Sequence, residues 1–390
     1  MPINNKPQRI LVYRPGQIGD TVVALPAMWA VRDHFSSAHV CLLTGRHPES
    51  NFISAVEVLP KQGLFDDCIT YPTSIHGFDP KALARMLPEI RRHRFDTLVY
   101  LAPRIRTPWQ IRRDLIFFRM AGIKNFVGNT GIQRLERSVN GDSLPLVERE
   151  TDELLGRIEA GGVPVPPKER RAINLRLDAD ERSRAESWLR NKVDDQIDAR
   201  RLVAVGAGSK RSSSRWAEHN FAEFGRLIIG ELDLFPVVVG GVDDHELGER
   251  LISTWGTGVN AAGELSVRQS AAVMARCRLY VGNDTGTMHL AAASGIPCVA
   301  IFSSADWPGR WYPYGKGHTV FRSSVPCEGC RLDDCIEQDL ICLRQIAVKD
   351  VLAAVRQTLV DSASDSPVSD LSNLSSGVES IVSASALQTS

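Results

Sequence analysis

Short apolar runs recur along the chain, each followed by a loop rich in glycine, serine or aspartate and then by a helical pattern. Arg9–Arg14 (RILVYR) enters the tight loop Pro15–Asp20 and then a helix through Phe35, and His39–Leu43 and Thr97–Leu101 repeat the strand pattern. A second series runs Leu202–Gly206, Pro236–Gly240, Leu279–Gly282 and Cys298–Phe302. Strands alternating with helical stretches belong to a parallel sheet covered on both faces. Between the two series, Gly161–Arg171 (GGVPVPPKERR) carries three prolines and several charges and reads as an exposed connector. The spacing predicts an α/β protein of two doubly wound domains, residues 1–170 and 171–345, and a closing helix over 346–360.

Composition narrows the class. From Asp361 onward the chain holds eleven serines and four acids, with no Lys, Arg or aromatic residue. Such a segment buries too little apolar surface to order itself, so a disordered tail is expected over 361–390. With 46 basic and 46 acidic side chains the formal net charge is zero, which argues against a nucleic-acid partner. Leu290–Ala305 comes closest to a membrane span, but Gly, Pro and three Ser break it. The start, MPINNKPQRI, lacks a signal-peptide core, and a cytoplasmic protein is expected.

Three loops are candidates for chemistry. In RPGQIGD, Arg14–Asp20, Gly16 and Gly19 let the backbone turn where a strand ends, and Asp20 stands at the following helix start. A nicotinamide site requires a third glycine and an acid ending the second strand, and both are missing. Asp20 is either a helix cap or a carboxylate at the C-terminal edge of a parallel sheet, where such folds place their sites. In GNDTGTMHLAAASGIP, Gly282–Pro297, a strand runs into Asp284, Thr285, Gly286 and Thr287, whose amides and hydroxyls form a cradle for phosphate oxygens. His289, taken alone, reads as a core histidine. In GAGSKRSSSRW, Gly206–Trp216, Ser209, Lys210 and Arg215 also suit anionic oxygens, although a solvated loop explains them equally well.

Taken in order, these stretches resemble glycosyltransferase family nine, the ADP-heptose:lipopolysaccharide heptosyltransferases. The resemblance runs from about Arg9 to Leu359 and is most specific in IGDTVVALPA (Ile18–Ala27) and NDTGTMHLAAASGIP (Asn283–Pro297). It implies a GT-B fold, with two Rossmann-like domains facing across a cleft, the acceptor on the N-terminal side and the nucleotide-sugar on the C-terminal side. It also implies inverting transfer of a heptose or related sugar to a lipid-linked anionic acceptor, at the inner face of the cytoplasmic membrane. Asp20 matches the family's proposed base. Asp284, Thr285, Gly286 and His289 match its nucleotide-diphosphate site, and Asp243 falls near the donor ribose. Ser214 stands where relatives commonly carry a lysine, leaving Lys210, Arg211 or Arg215 to meet the donor phosphates.

The chemistry asks for one carboxylate to take the hydroxyl proton and for donors that stabilise the departing diphosphate. Asp178-Ala179-Asp180 has the form of a metal-holding acid pair, but Asp178 and Glu181 have N-cap and N3 spacing. No cofactor is therefore expected for catalysis. Cys327, Cys330, Cys335 and Cys342 carry either a structural zinc or iron or simply free or paired thiols. Cys41, Cys68, Cys277 and Cys298 read as core residues. Lys81–Arg119 holds ten basic and three acidic residues, and suits either a solvated face or attraction to an anionic lipid. The interleaved Trp109, Phe117 and Phe118 suit either a membrane or a core. Two alternatives keep the fold and change the role: a sugar-nucleotide epimerase or hydrolase, and a non-catalytic transferase-like module.

Overall fold

The computed structural model describes residues 8–46, 53–72, 80–135, 143–193, 198, 201–364 and 381–382. Its contacts divide the chain into two units, residues 1–136 with 148–176, and residues 137–147 with 177–390.

The first unit is a five-stranded parallel sheet in the order β3-β2-β1-β4-β5: β1 Arg9–Tyr13, β2 His39–Arg46, β3 Asp67–Pro72, β4 Thr97–Tyr100 and β5 Asn125–Val127. The helices are α1 Ile18–His34, α2 Pro80–His93, α3 Pro108–Met120 and α4 Glu150–Ala160. Chain order reverses between β1 and β4, the switch point at which such sheets open a crevice. One face of the sheet packs Leu11, Leu43, Leu98 and Tyr100 against Ile90 of α2 and Phe118 of α3. The other is covered by α1, buried almost continuously from Thr21 to Val31 because α4 packs on it.

The second unit has a parallel sheet in the order β12-β11-β10-β9-β6-β7-β8, with β6 Leu202–Gly206, β7 Phe235–Val238, β8 Val259–Asn260, β9 Leu279–Asn283, β10 Cys298–Ile301, β11 Thr319–Phe321 and β12 Ile381–Val382. Among the described residues its α-helices are α5 Ala179–Lys192, α6 Glu218–Leu232, α7 His245–Trp255, α8 Val267–Met274, α9 Gly286–Ala293, α10 Ile341–Arg344 and α11 Val348–Ser364. The switch point lies between β6 and β9. There Gly206 pairs with Gly282, and a Cβ on either would collide with the Tyr280 side chain or the opposite backbone.

Two expectations change. The C-terminal helix runs to Ser364, because Val351, Leu352 and Val355 bury its inner face and carry the helix past Asp361. Of the expected disordered tail, 365–380 and 383–390 lie outside the described residues, and Ile381–Val382 lie beside β11. The basic run Lys81–Arg119 is not one solvated face. Arg104 is fully buried, paired with Glu150 at 3.1 Å and with the Glu148 carbonyl, and Arg106 pairs with Asp114 and donates to the Tyr13 hydroxyl. Among the described residues no helix is long and apolar enough to cross a membrane.

Candidate active site

In the first unit the site forms where β1 ends. Arg14, wholly buried, continues the strand and turns its guanidinium under the start of α1. Its Nε donates to the Asp20 carbonyl at 2.9 Å, its Nη1 to the Leu101 carbonyl at 2.6 Å, and its Nη2 to Asp20 Oδ1 at 3.4 Å. The other carboxylate oxygen, Oδ2, accepts the Gln17 backbone N–H at 3.1 Å, so Asp20 also caps its own helix from the N3 position. The two readings of Asp20 therefore coexist: the side chain caps the helix yet stays 27% exposed. Gly16 has φ +144°, and a Cβ there would collide with the Asp20 side chain, so glycine is required for this turn. Gly19 lies in the first turn of α1.

In the same unit, a cavity of about 370 Å³ lies between α3 and the segment that follows β5. Arg106, Arg112, Arg119 and Arg134 line it over an apolar floor of Ile111, Leu115 and Ile132. With no acid among its lining residues, this recess suits an anionic group carried on an apolar body.

In the second unit, buried Asn283 ties the site together. Its Oδ1 accepts the Trp216 N–H at 3.0 Å, and its Nδ2 donates to the carbonyls of Ala207 at 2.7 Å and Gly208 at 3.4 Å. The loops after β6 and β9 are thus held at fixed spacing. Asp284 follows, its N–H bonded to the Ile301 carbonyl at 3.0 Å. Burial pushes its carboxyl up to about 7, with Arg211 pulling it back and Asp306 adding to the rise. The Thr285 and Thr287 hydroxyls lie 2.6 Å apart at the start of α9, and the Tyr280 hydroxyl reaches Thr287 at 3.2 Å. Gly286 opens that helix. His289, within that helix, is buried beside Trp311; burial lowers its pKa to about 4, and its Nδ1 has no hydrogen-bond partner among the described residues.

The loop after β6 separates the three candidate cations. Arg215 donates through Nε to the Ser209 carbonyl at 2.6 Å, and its charge also acts on Asp244. Ser209 is buried, its hydroxyl accepting the Arg211 N–H at 3.3 Å. Lys210 faces Asp243 and Asp244, and partial burial lowers its pKa against their pull. Arg211 is the cation whose charge acts on Asp284. Ser214 is buried against Ser303. Asp243 is exposed on its turn, whereas Asp244 accepts the Gly241 N–H at 2.9 Å and fills the space beside Gly208 and Gly240. Reading along the chain pointed to Asp243; the packing draws in its neighbour.

The paired acids of Asp178-Ala179-Asp180 serve the helix. Asp178 accepts the Glu181 N–H at 2.7 Å, Glu181 accepts the Asp178 N–H at 2.9 Å, and Glu181 then pairs with buried Arg268. Among the described residues the four clustered cysteines form no disulfide, and burial, with the other three beside it, raises the pKa of Cys342. Among the described residues no group of three or more His, Cys, Asp or Glu is set to hold a metal ion. Phe118 is core and Phe117 packs against it, whereas Trp109 is 63% exposed.

The description "Glycosyltransferase family 9 (heptosyltransferase)" matches residues 141–341, more than half of the chain. The chain belongs to glycosyltransferase family 9. Within the family it is 34% identical over 102 residues to lipopolysaccharide heptosyltransferase 2 of Escherichia coli K12, covering 24% of this chain and 29% of that protein. It is 25% identical over 208 residues to lipooligosaccharide heptosyltransferase 2 of Haemophilus ducreyi, covering 51% and 55%. The first of these alignments thus spans less than a third of the relative's length. In fold, the chain is similar to a family 9 glycosyltransferase from Veillonella parvula (TM-score 0.66, 18% identity, 91% of this chain and 97% of that one). It is also similar to the E. coli ADP-heptose lps heptosyltransferase II (TM-score 0.60, 19% identity, 91% and 100%). The fold is therefore that of the GT-B-type heptosyltransferases.

Proposed function

We propose that the protein is an inverting glycosyltransferase that moves a heptose from ADP-heptose to a lipid-linked, anionic acceptor of the lipopolysaccharide-core type. The observation that carries this reading is Asp20, a partly exposed carboxylate at a sheet switch point, oriented by a buried arginine and a backbone N–H.

In this reading an acceptor hydroxyl attacks the anomeric carbon, and the bond from that carbon to the diphosphate oxygen breaks. Asp20 takes the hydroxyl proton, the new bond joins the anomeric carbon to the acceptor oxygen with inverted configuration, and ADP departs. The departing diphosphate is met by the amides at the start of α9, the hydroxyls of Thr285 and Thr287, and Arg211, which together supply fixed positive potential. Lys210 adds a second cation, and Asp244 or Asp243 takes the ribose hydroxyls. His289, held neutral, shapes the floor of the cradle. We infer that no divalent metal is needed, since these groups perform the charge stabilisation that a metal ion performs elsewhere. The four-arginine recess of the first unit receives an acidic group of the acceptor, and the lipid anchor of that acceptor brings the enzyme to the inner face of a bilayer.

The test mixes purified protein with ADP-heptose and a core acceptor and follows both ADP release and acceptor mass. Transfer of one heptose, lost on Asp20→Asn with ADP affinity retained, supports the reading. ADP release without change in acceptor mass would assign hydrolysis instead.

A further inference from the structure

The outward face of α3 has an unusual composition. At about 100° per residue, Trp109, Ile116 and Met120 fall within about 40° of one another, opposite buried Phe118. That is the face a globular protein ordinarily gives to charged residues. Here the three are exposed by 63%, 46% and 52%, and Ile105, in the lead-in turn, extends the line at 48%. Exposed Arg112 and Arg119 lie on one flank; on the other, Arg113, ion-paired with Asp114 at 2.7 Å, holds its guanidinium 5.4 Å from the centre of the Trp109 ring. The only acid of α3, Asp114, is buried on the core side. At the far end Arg91 donates to the Met120 carbonyl at 2.9 Å, bringing the exposed basic end of α2, Arg91 and Arg92, alongside.

We propose that this face of α3 docks on an anionic lipid bilayer, with Trp109, Ile116 and Met120 entering the headgroup boundary and the exposed Arg112 and Arg119 meeting lipid phosphates. The proposal rests on the reading of a lipid-linked acceptor, and it names the surface that brings the enzyme to that lipid. An apolar stripe with a basic collar is the pattern of helices that lie in a membrane interface, and the aromatic ring belongs at headgroup depth. The collar also selects the occupant: cations around the stripe favour a phosphate-bearing surface. The four-arginine recess shares Arg112 and Arg119 with this collar, so docking would set that recess at the lipid surface.

The full chain is sedimented with vesicles of phosphatidylcholine alone and with vesicles containing phosphatidylglycerol. The wild type should pellet with the anionic vesicles. A Trp109→Ser, Ile116→Ser, Met120→Ser variant should lose that partition by about tenfold or more. Its melting temperature, ADP affinity and turnover with a water-soluble, delipidated acceptor should match the wild type. Equal partition of variant and wild type overturns the proposal, as does failure of the wild type to bind anionic vesicles. A wild-type dimer that the triple variant turns into a monomer also overturns it, since the face would then bind a second copy of the chain. If sugar transfer is never seen but vesicle binding and its loss are, the reaction assignment fails and the docking surface stands.

Discussion

Arg14 and Asp20 are joined at two points: the arginine Nε donates to the backbone carbonyl of Asp20, and its Nη2 reaches the carboxylate 3.4 Å away. The backbone contact fixes where the first turn of α1 starts, and the side-chain contact fixes which way the carboxylate faces. One buried guanidinium thus controls both the position and the aim of the group we assign as base.

Asp20→Asn keeps an oxygen to accept the Gln17 N–H, so its stability should stay close to wild type. Turnover should fall by about 10²–10⁴-fold, the usual contribution of positioned proton transfer. Asp20→Ala should lose the cap as well, at about 1 kcal/mol. Melting and rate measurements on both variants separate the two roles; wild-type turnover in the Asn variant removes the catalytic one.

Arg14→Gln strips the Leu101 and Asp20 carbonyls of a charged donor in a buried place. It should cost about 1–3 kcal/mol, measurable by denaturant unfolding. The fraction that remains folded should turn over more slowly at unchanged donor KM, because the carboxylate loses its aim and the nucleotide site is untouched. A fall in stability with full turnover per folded molecule would make Arg14 a structural residue only.

Gly16→Ala tests the same turn from the other side. Its φ of +144° and the predicted collision with Asp20 leave no room for a methyl group. We expect a stability loss of about 1–3 kcal/mol and reduced turnover, with ADP binding by calorimetry unchanged.

Asp284 and His289 should titrate in opposite senses. The folded Asp284 carboxyl lies at about 7 against an ordinary 3.8, so the folded state holds a proton that the unfolded chain releases. Its contribution is complete below about pH 4 and is lost as pH rises through 7. The folded His289 imidazole lies at about 4 against 6.5, so its contribution is complete above about pH 6.5 and is lost as pH falls through 4. Between these limits the two slopes oppose one another. The stability of Asp284→Asn relative to wild type should climb from pH 4 to 7, and that of His289→Gln should decline from pH 4 to 6.5. Unfolding midpoints across that range check both signs.

Arg211→Ala should raise donor KM and weaken ADP binding about tenfold or more, as expected when a charge-assisted contact to phosphate is removed. Arg215→Ala should lower melting temperature more than affinity, because that guanidinium is committed to the Ser209 carbonyl. Calorimetry and thermal melts on the pair decide which cation serves the diphosphate.

Both α/β units are legible in the sequence because β1, β2, β4, β6, β7, β9 and β10 are short apolar runs; β3 (DCITYP) and the two- or three-residue β5, β8, β11 and β12 are too polar or too short to read. The Asp178–Glu181 cap was legible too, since its three-residue spacing is local. What escaped depends on contacts distant in sequence. Arg14 reads as the polar end of a strand until the Leu101 carbonyl is placed beside it. Arg104 reads as one more surface charge until Glu150 is brought to it from α4. Asp243 and Asp244 are indistinguishable in sequence, and only the space left by Gly208 and Gly240 shows that Asp244 packs inward while Asp243 stays exposed. Trp109 and Phe118 stand on one helix, and the sheet beneath decides which is inside.

Asn283 holds the loops after β6 and β9 with one carboxamide, using a single acceptor and two donations. Exchange for aspartate would set an anion against two carbonyl oxygens, while exchange for leucine would free both loops at once. Under the proposed donor site, the exposed Lys210 and Arg211 are the loop positions that can vary without altering loop separation. A designer seeking a different nucleotide should therefore leave this amide untouched and vary the residues it braces.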